Sequence, residues 1–335
     1  MSVSTGIEEK LAALICARDS VARDVQITDL RPLSGGNARR AYSFDAAWRD
    51  GQGVRQERCV LLCRAEAGQL EVVPRHEFDV LRAIEGRNVA APRALWFDED
   101  GEWLGVPGVV LTRAEGQADI TGLLKRDSTI SRSLALQLVE QAARLHALDV
   151  GNIGMIPAGH DSSLDIAIGQ LQHWQAQFRR KRLEPLPALE HVFHWLLQTR
   201  PATQRAVVVH GDFRFGNFLH QEDRLITVLD WELAHVGDPA EDLAWCYRPL
   251  WSPEHFLTLE EALEHYRAAG GPDISLRHIA WWRIFGEARF AVISLNAVRS
   301  YMDAGTENLR LAGRASKAAE SMLLALQWID RREEC

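Results

Sequence analysis

The apolar residues of this chain change period near Gly116, and that change restricts the fold more than any other feature. Before it, short β-rich runs are broken by turn residues: VQITDLRPL (25–33) alternates as a half-buried strand does, and ERCVLLCRA (57–65) has high β-propensity. Between them SGGNARRAYSF turns on Gly35, Gly36 and Asn37 and enters a further strand, which makes an antiparallel meander. PRHEFDVLRAIEG (74–86) is helical, with Phe78, Leu81 and Ile84 on one face and Gly86 as its C-cap. Two more strands are expected around an Asp100–Gly101 turn.

After Gly116 apolar residues recur every three or four positions. SRSLALQLVEQAARLHAL (131–148), LDIAIGQLQHWQAQFRR and LEHVFHWLLQT read as amphipathic helices, as does the chain from 254 onward. The expected architecture is therefore α+β in two lobes, a small antiparallel β lobe (1–115) and a larger, mainly helical lobe (116–335), joined by a hinge near 113–117.

Bulk properties exclude some functions. A formal charge of −8 with dispersed arginines lacks the basic stripe that phosphate-backbone binding needs. The N-terminal apolar stretch follows acidic residues and is too short to span a bilayer, so the expectation is a soluble cytoplasmic protein with neither nucleic-acid nor membrane partners. The five cysteines (Cys16, Cys59, Cys63, Cys246, Cys335) are scattered, without zinc spacing, and read as reduced and mostly buried thiols.

Chemistry concentrates where an apolar strand, AVVV, runs into HGDFRFGN, and a second, RLITV, runs into LDWE. Asp212 and Asn217 are five apart, and Asp230 lies thirteen beyond Asn217. This is the spacing of a phosphoryl-transfer loop: one Asp orients or receives the acceptor's hydroxyl proton, while an Asn and a second Asp hold magnesium on nucleotide phosphates. Arg214 is placed to meet charge spreading over the transferred group. Glu232 either assists the metal or ends the strand. His210 is expected to organise the loop backbone. With His220 and His235 it could suggest a metal hydrolase, but no H-E-x-x-H spacing supports that. Asp238, Pro239 and Glu241 fall at N-cap, N1 and N3 of a helix, as in a capping box.

HGDFRFGN, VLDWE, GDPAEDLAW, RLHAL and RHEFDVLRAI together resemble the aminoglycoside phosphotransferase and choline kinase family, over most of residues 27–250. The motif forms are most similar to the kinase-like domain fused to some acyl-CoA dehydrogenases. The resemblance implies a protein-kinase-like fold and a magnesium-dependent transfer of the γ-phosphoryl of ATP or GTP to a hydroxyl of a small molecule. It also implies phosphate contacts from Ser34, Gly35, Gly36 and Asn37, and a third-strand lysine paired with Glu77. The chain departs from the family at that lysine. Its four lysines (Lys10, Lys125, Lys181, Lys317) lie elsewhere, leaving Arg64, or Cys63 if the register slips by one. That substitution motivates an alternative, a nucleotide-binding pseudokinase. Trp174, Trp281, Trp282, Arg283 and Arg289 either line the acceptor site or pack in the core.

Overall fold

In the computed structural model, residues 3–33, 39–64, 74–125, 128–151, 166–202, 205–304 and 308–333 are described. The chain forms two compact units. One comprises Met1–Gln117 with Phe218–Gln221 and Ile226–Leu233, and the other comprises Ala118–Asn217, Glu222–Leu225 and Ala234–Cys335.

The first unit begins with α1 (Val3–Arg18), β1 (Arg23–Leu33), β2 (Arg39–Asp50) and β3 (Gly53–Arg64), followed by α2 (Pro74–Ile84), β4 (Ala94–Asp98) and β5 (Gly108–Thr112). The sheet is antiparallel throughout, in the order β1-β2-β3-β5-β4. Strand alternation sends Phe44, Ala46 and Trp48 of β2, with Cys59, Leu61 and Cys63 of β3, into a core closed by Leu11, Leu14 and Ile15 of α1. Burial pushes the Cys63 thiol up to about 11 and the Cys59 thiol up to about 12, which leaves both as packing groups without thiolate chemistry. Cys246 is also a buried free thiol, and Cys16 is exposed.

Two expectations change. The buried face of α2 carries Glu77 together with Val80, Leu81 and Ile84, while Phe78 instead packs on Phe97 at 4.7 Å. Strands β4 and β5 do not meet in a tight hairpin at Asp100–Gly101; the whole segment 99–107 connects them. The organiser is Asp98, which is buried and accepts from the backbone N–H of Glu102 (3.1 Å), Trp103 (2.9 Å) and Leu104 (2.8 Å). Gly101 sits at φ +75°, and a Cβ there would stand 2.7 Å from the Val106 backbone.

The second unit carries α3 (Ile120–Lys125), α4 (Ser128–His146), α5 (Ile166–Lys181), α6 (Pro187–Thr199) and β6 (Val207–Val209). Next along the chain come β7 (Phe218–Gln221), β8 (Arg224–Val228), a short 3-10 turn (Trp231–Leu233) and β9 (His235–Gly237). The chain closes with α7 (Pro239–Cys246), α8 (Leu259–Ala268), α9 (Leu276–Ala304), α10 (Leu309–Ala312) and α11 (Arg314–Glu333). At 29 residues α9 is about 43 Å long, enough to pack α5, α6, α7, α10 and α11 along its length. β6 pairs antiparallel with β9, all three of its valines fully buried. β7 and β8 form a two-stranded sheet, and in the first unit Gln117 bridges to the β7 residue His220. Among the described residues no helix is long and apolar enough to cross a membrane.

Asp98→Ala leaves up to three backbone donors without their acceptor at a buried site, so a loss of about 2–4 kcal/mol is expected. Denaturant unfolding followed by tryptophan fluorescence measures it, and an unchanged midpoint would rule out the organising role.

Candidate active site

Strand β6 delivers its chain into a loop held on two sides. Gly211 adopts φ +79°, which turns successive N–H groups the same way: those of His210 (2.7 Å) and Gly211 (2.9 Å) both donate to the Asp242 carboxylate of α7. Asp242 is fully buried and also meets His146 Nε2 at 3.2 Å, whose Nδ1 lies 2.7 Å from the Tyr266 hydroxyl. Burial alone would raise the Asp242 pKa, but the hydrogen bond and charge of His146, with His210, hold it below the ordinary carboxylate range. The other side of the loop is fixed by the buried Arg289 of α9, which donates to the Gly211 carbonyl and pairs with Glu241 at 3.0 Å.

Asp212 is presented by this loop. Its backbone N–H donates to His210 Nδ1 (3.1 Å), which is the organising contact expected of that histidine. Its carboxylate accepts from Trp245 Nε1 at 2.7 Å through Oδ1, and from Asn217 Nδ2 at 2.6 Å through Oδ2. Arg214 Nε stands 3.4 Å from Oδ2. The side chain nonetheless stays 21% exposed, so the oriented carboxylate still faces solvent. Asn217 is set by a turn in which its N–H donates to the Arg214 carbonyl (3.0 Å), with Gly216 at φ +108° in the third position. Asn217 Nδ2 also bonds the Asp212 carbonyl at 3.0 Å.

The first unit holds a separate charged cluster. Trp231 turns inward, its Nε1 donating to the Val228 carbonyl (2.9 Å), and the flanking Asp230 and Glu232 meet a single guanidinium, that of Arg39 at the start of β2. The separations are 3.6 Å to Asp230 and 3.0 Å to Glu232, and the same group pairs with the buried Glu77. Burial works to lower the Arg39 pKa, yet the charges of Glu77, Glu232 and Asp230 carry it above its ordinary value. Asp230 takes φ +63° and is half exposed. Among the described residues three carboxylates meet the Arg39 guanidinium, and their oxygens are the hard donors that an oxygen-liganded cation takes. The donor set suits magnesium, which takes few protein oxygens and completes its shell with water and phosphate. Among the described residues no group of three or more His, Cys, Asp or Glu is placed to hold a metal ion by itself.

The guanidinium seen at Glu77 thus belongs to Arg39, where the sequence pointed to Arg64. The two are directly opposed in the β2–β3 ladder, and the Arg64 side chain lies outside the described residues. Cys63 pairs with Arg40 and is buried in the apolar core, so it does not take the lysine's place at Glu77. Ser34, Gly35, Gly36 and Asn37 also lie outside the described residues. Trp174, Trp281 and Trp282 are core residues, and Arg289 is the buried clamp on Gly211. Arg283 is largely buried over the Trp328 ring at 4.9 Å. Asp238 caps α7 through the Ala240 N–H (2.9 Å), but no capping box closes, because Glu241 pairs with Arg289 and His235. Asp242 and Trp245 carried an unread signal: three apart on one helix, they share the face that meets the loop.

The model of a family described as "Phosphotransferase enzyme family" matches residues 29–281. The chain belongs to that family. It is similar to acyl-CoA dehydrogenase family member 11 of Rattus norvegicus (29% identical over 172 residues, 50% of this chain and 22% of the relative). It is also similar to acyl-CoA dehydrogenase family member 10 of Mus musculus (27% over 186 residues, 54% and 17%). The chain therefore spans about a fifth of the length of these curated relatives. Among solved structures, a putative aminoglycoside phosphotransferase from Ralstonia eutropha JMP134 matches at TM-score 0.72 with 18% identity, covering 96% of this chain and 98% of that one. APH(4)-Ia in a ternary complex with AMP-PNP and hygromycin B matches at TM-score 0.57 with 19% identity, over 95% and 98%. The fold is the kinase-like one of these phosphotransferases, as the motif resemblance implied.

Replacing Asp242 by Asn should cost about 3 kcal/mol at neutral pH, because an amide cannot answer two backbone donors and a histidine as a carboxylate does. The sign with pH follows from the depressed pKa. Its stabilisation is complete above the unfolded value near 3.9 and is lost as pH falls through the lower folded value. Urea unfolding from pH 7 to pH 3 should show wild type and variant converging on the acid side; parallel curves would discount the linkage.

Proposed function

We propose that this phosphotransferase moves the γ-phosphoryl of ATP or GTP to a hydroxyl of a small molecule, with magnesium. One observation carries the reading: the Asp212 carboxylate is fixed by Trp245 and Asn217 yet remains open to solvent. A carboxylate so oriented can align an acceptor hydroxyl and take its proton as the new phosphoester bond forms. Arg214, beside it, supplies charge for the transferred group. On the nucleotide side, Ser34, Gly35, Gly36 and Asn37 contribute backbone N–H groups, and Arg39 or Arg64 with Glu77 contributes the cation that the absent lysine would bring. Asn217, Asp230 and Glu232 are the residues for magnesium, which when bound neutralises phosphate charge. The lobes divide near residue 115, and with a net charge of −8 the protein works in the cytoplasm on nucleotide and a hydroxylated metabolite, without nucleic-acid or membrane partners.

A nucleotide-binding protein without turnover is the second reading. The observation that favours it is the engagement of Asp230 and Glu232 by Arg39, which places a protein cation on the carboxylates proposed for metal.

Asp212→Asn should lower kcat by roughly 10² to 10⁴ while nucleotide affinity is retained, as for loss of a general base. Steady-state nucleotide consumption with an identified acceptor measures it, and full activity in the variant would refute the role. For the metal, calorimetry of ADP binding should show at least tenfold tightening by magnesium in the wild type and none in Asp230→Ala. Equal affinity with and without magnesium in the wild type would instead favour the second reading.

A further inference from the structure

Around the base, the second unit gathers more positive charge than Arg214, the one arginine there with a role in the transfer, accounts for. Trp245, whose indole holds Asp212, packs on Trp251 at 5.2 Å between centroids, and Trp251 packs on Phe290 at 5.9 Å. Three guanidinium groups lie against these rings. Arg214 is 5.3 Å and Arg248 5.0 Å from the Trp251 centroid, while Arg248 is 3.6 Å and Arg314 5.6 Å from that of Phe290. Such a concentration is costly, because like charges repel and burial removes their hydration.

The carboxylates among the described residues do not balance it. Arg214 leans on Asp212, and Arg248 pairs with the buried Glu287 at 2.8 Å and bonds Ser321 at 2.8 Å. Arg314 has no carboxylate within 4 Å among the described residues, and Glu320, whose charge also acts on Arg248, is engaged by Lys317 at 2.8 Å. Arg248 is 8% exposed, and its Nε and Nη1 have no hydrogen-bond partner among the described residues. Buried N–H donors left open in this way cost free energy that an oxyanion would recover. Burial, and for Arg314 the neighbouring Arg248 and Arg214, already weigh against the charged forms of Arg248 and Arg314.

We propose that the acceptor is an anion: a hydroxylated molecule whose carboxylate or phosphate is held by Arg314, with Arg248 behind it, while its hydroxyl faces Asp212 and Arg214. This rests on the reading of Asp212 as the acceptor's base. It separates the protein from a relative that binds hygromycin B, since a cationic amino group would meet three arginines here.

The test uses four ligands on one six-carbon body: 6-hydroxyhexanoate, 6-hydroxyhexyl phosphate, 6-hydroxyhexanamide and 6-aminohexan-1-ol. Binding is read by tryptophan fluorescence and calorimetry, and phosphoryl transfer is read separately by nucleotide consumption. The anions should bind the wild type at least tenfold more tightly than the amide, with the amine weakest, and the tighter anion identifies the head group. In Arg314→Ala the anion-to-amide ratio should fall about tenfold, and Arg314→Lys should recover part of it. Arg299→Ala removes an exposed arginine that pairs with Asp303 on α9, and should leave the ratio within twofold of the wild type. Equal binding of all four ligands, preference for the amine, or a ratio insensitive to Arg314 would overturn the proposal. An intact anion preference without phosphoryl transfer to any ligand would uphold the anion site and reject the kinase reading instead.

Discussion

A carboxylate with no access to water sits beneath the loop that presents Asp212. Asp242 is stable there only because donors surround it: two consecutive backbone N–H groups from the loop and the imidazole of His146. The dependence is mutual, since the loop's N–H groups would be costly to bury without that acceptor. The arrangement fixes where β6 ends, requires a positive φ at Gly211, and sets the direction in which Asp212 leaves the chain. Arg289 completes the clamp from the carbonyl side, lying between the Trp174 and Trp245 rings at 5.1 and 4.6 Å. One helix, α7, then supplies three functions from adjacent positions. Glu241 neutralises Arg289, Asp242 holds the loop, and Trp245 orients the Asp212 carboxylate.

The first unit meets the same problem, a buried carboxylate, with a full positive charge. Glu77 is buried on α2 and would be untenable alone, so the fold brings a cation to it. That cation is Arg39, and its planar fork reaches Asp230 and Glu232 as well, a geometry that a lysine's single ammonium would not reproduce. One arginine thereby links the helix, the second strand and the loop after β8.

The sequence by itself determined the order and type of the elements. Period two before Gly116 and period near 3.6 after it are local properties, and they yielded the meander, the α2 helix and the helical second unit within a few residues of their observed bounds. The spacing of Asp212, Asn217 and Asp230 is likewise one-dimensional, and with GDPAEDLAW and RHEFDVLRAI it identified the phosphotransferase family. The N-cap role of Asp238 and the loop-organising role of His210 were legible because each acts within two residues of itself.

Tertiary structure decided which long-range partner each charged group took. Glu77 is 38 residues from Arg39 and 13 from Arg64, and the family's third-strand lysine position pointed to Arg64 or Cys63. The antiparallel register sets Arg39 and Arg64 opposite each other, so the pattern of one strand cannot choose between them. Asp242 carried no local signal of its own, and the sequence left Arg289 open between acceptor site and core. Their roles appeared only when packing buried them against the Gly211 peptide, where an unpaired charge cannot persist. The length of the β4–β5 connection was hidden for the same reason, since three backbone donors converge on Asp98 only after the chain has turned back on itself.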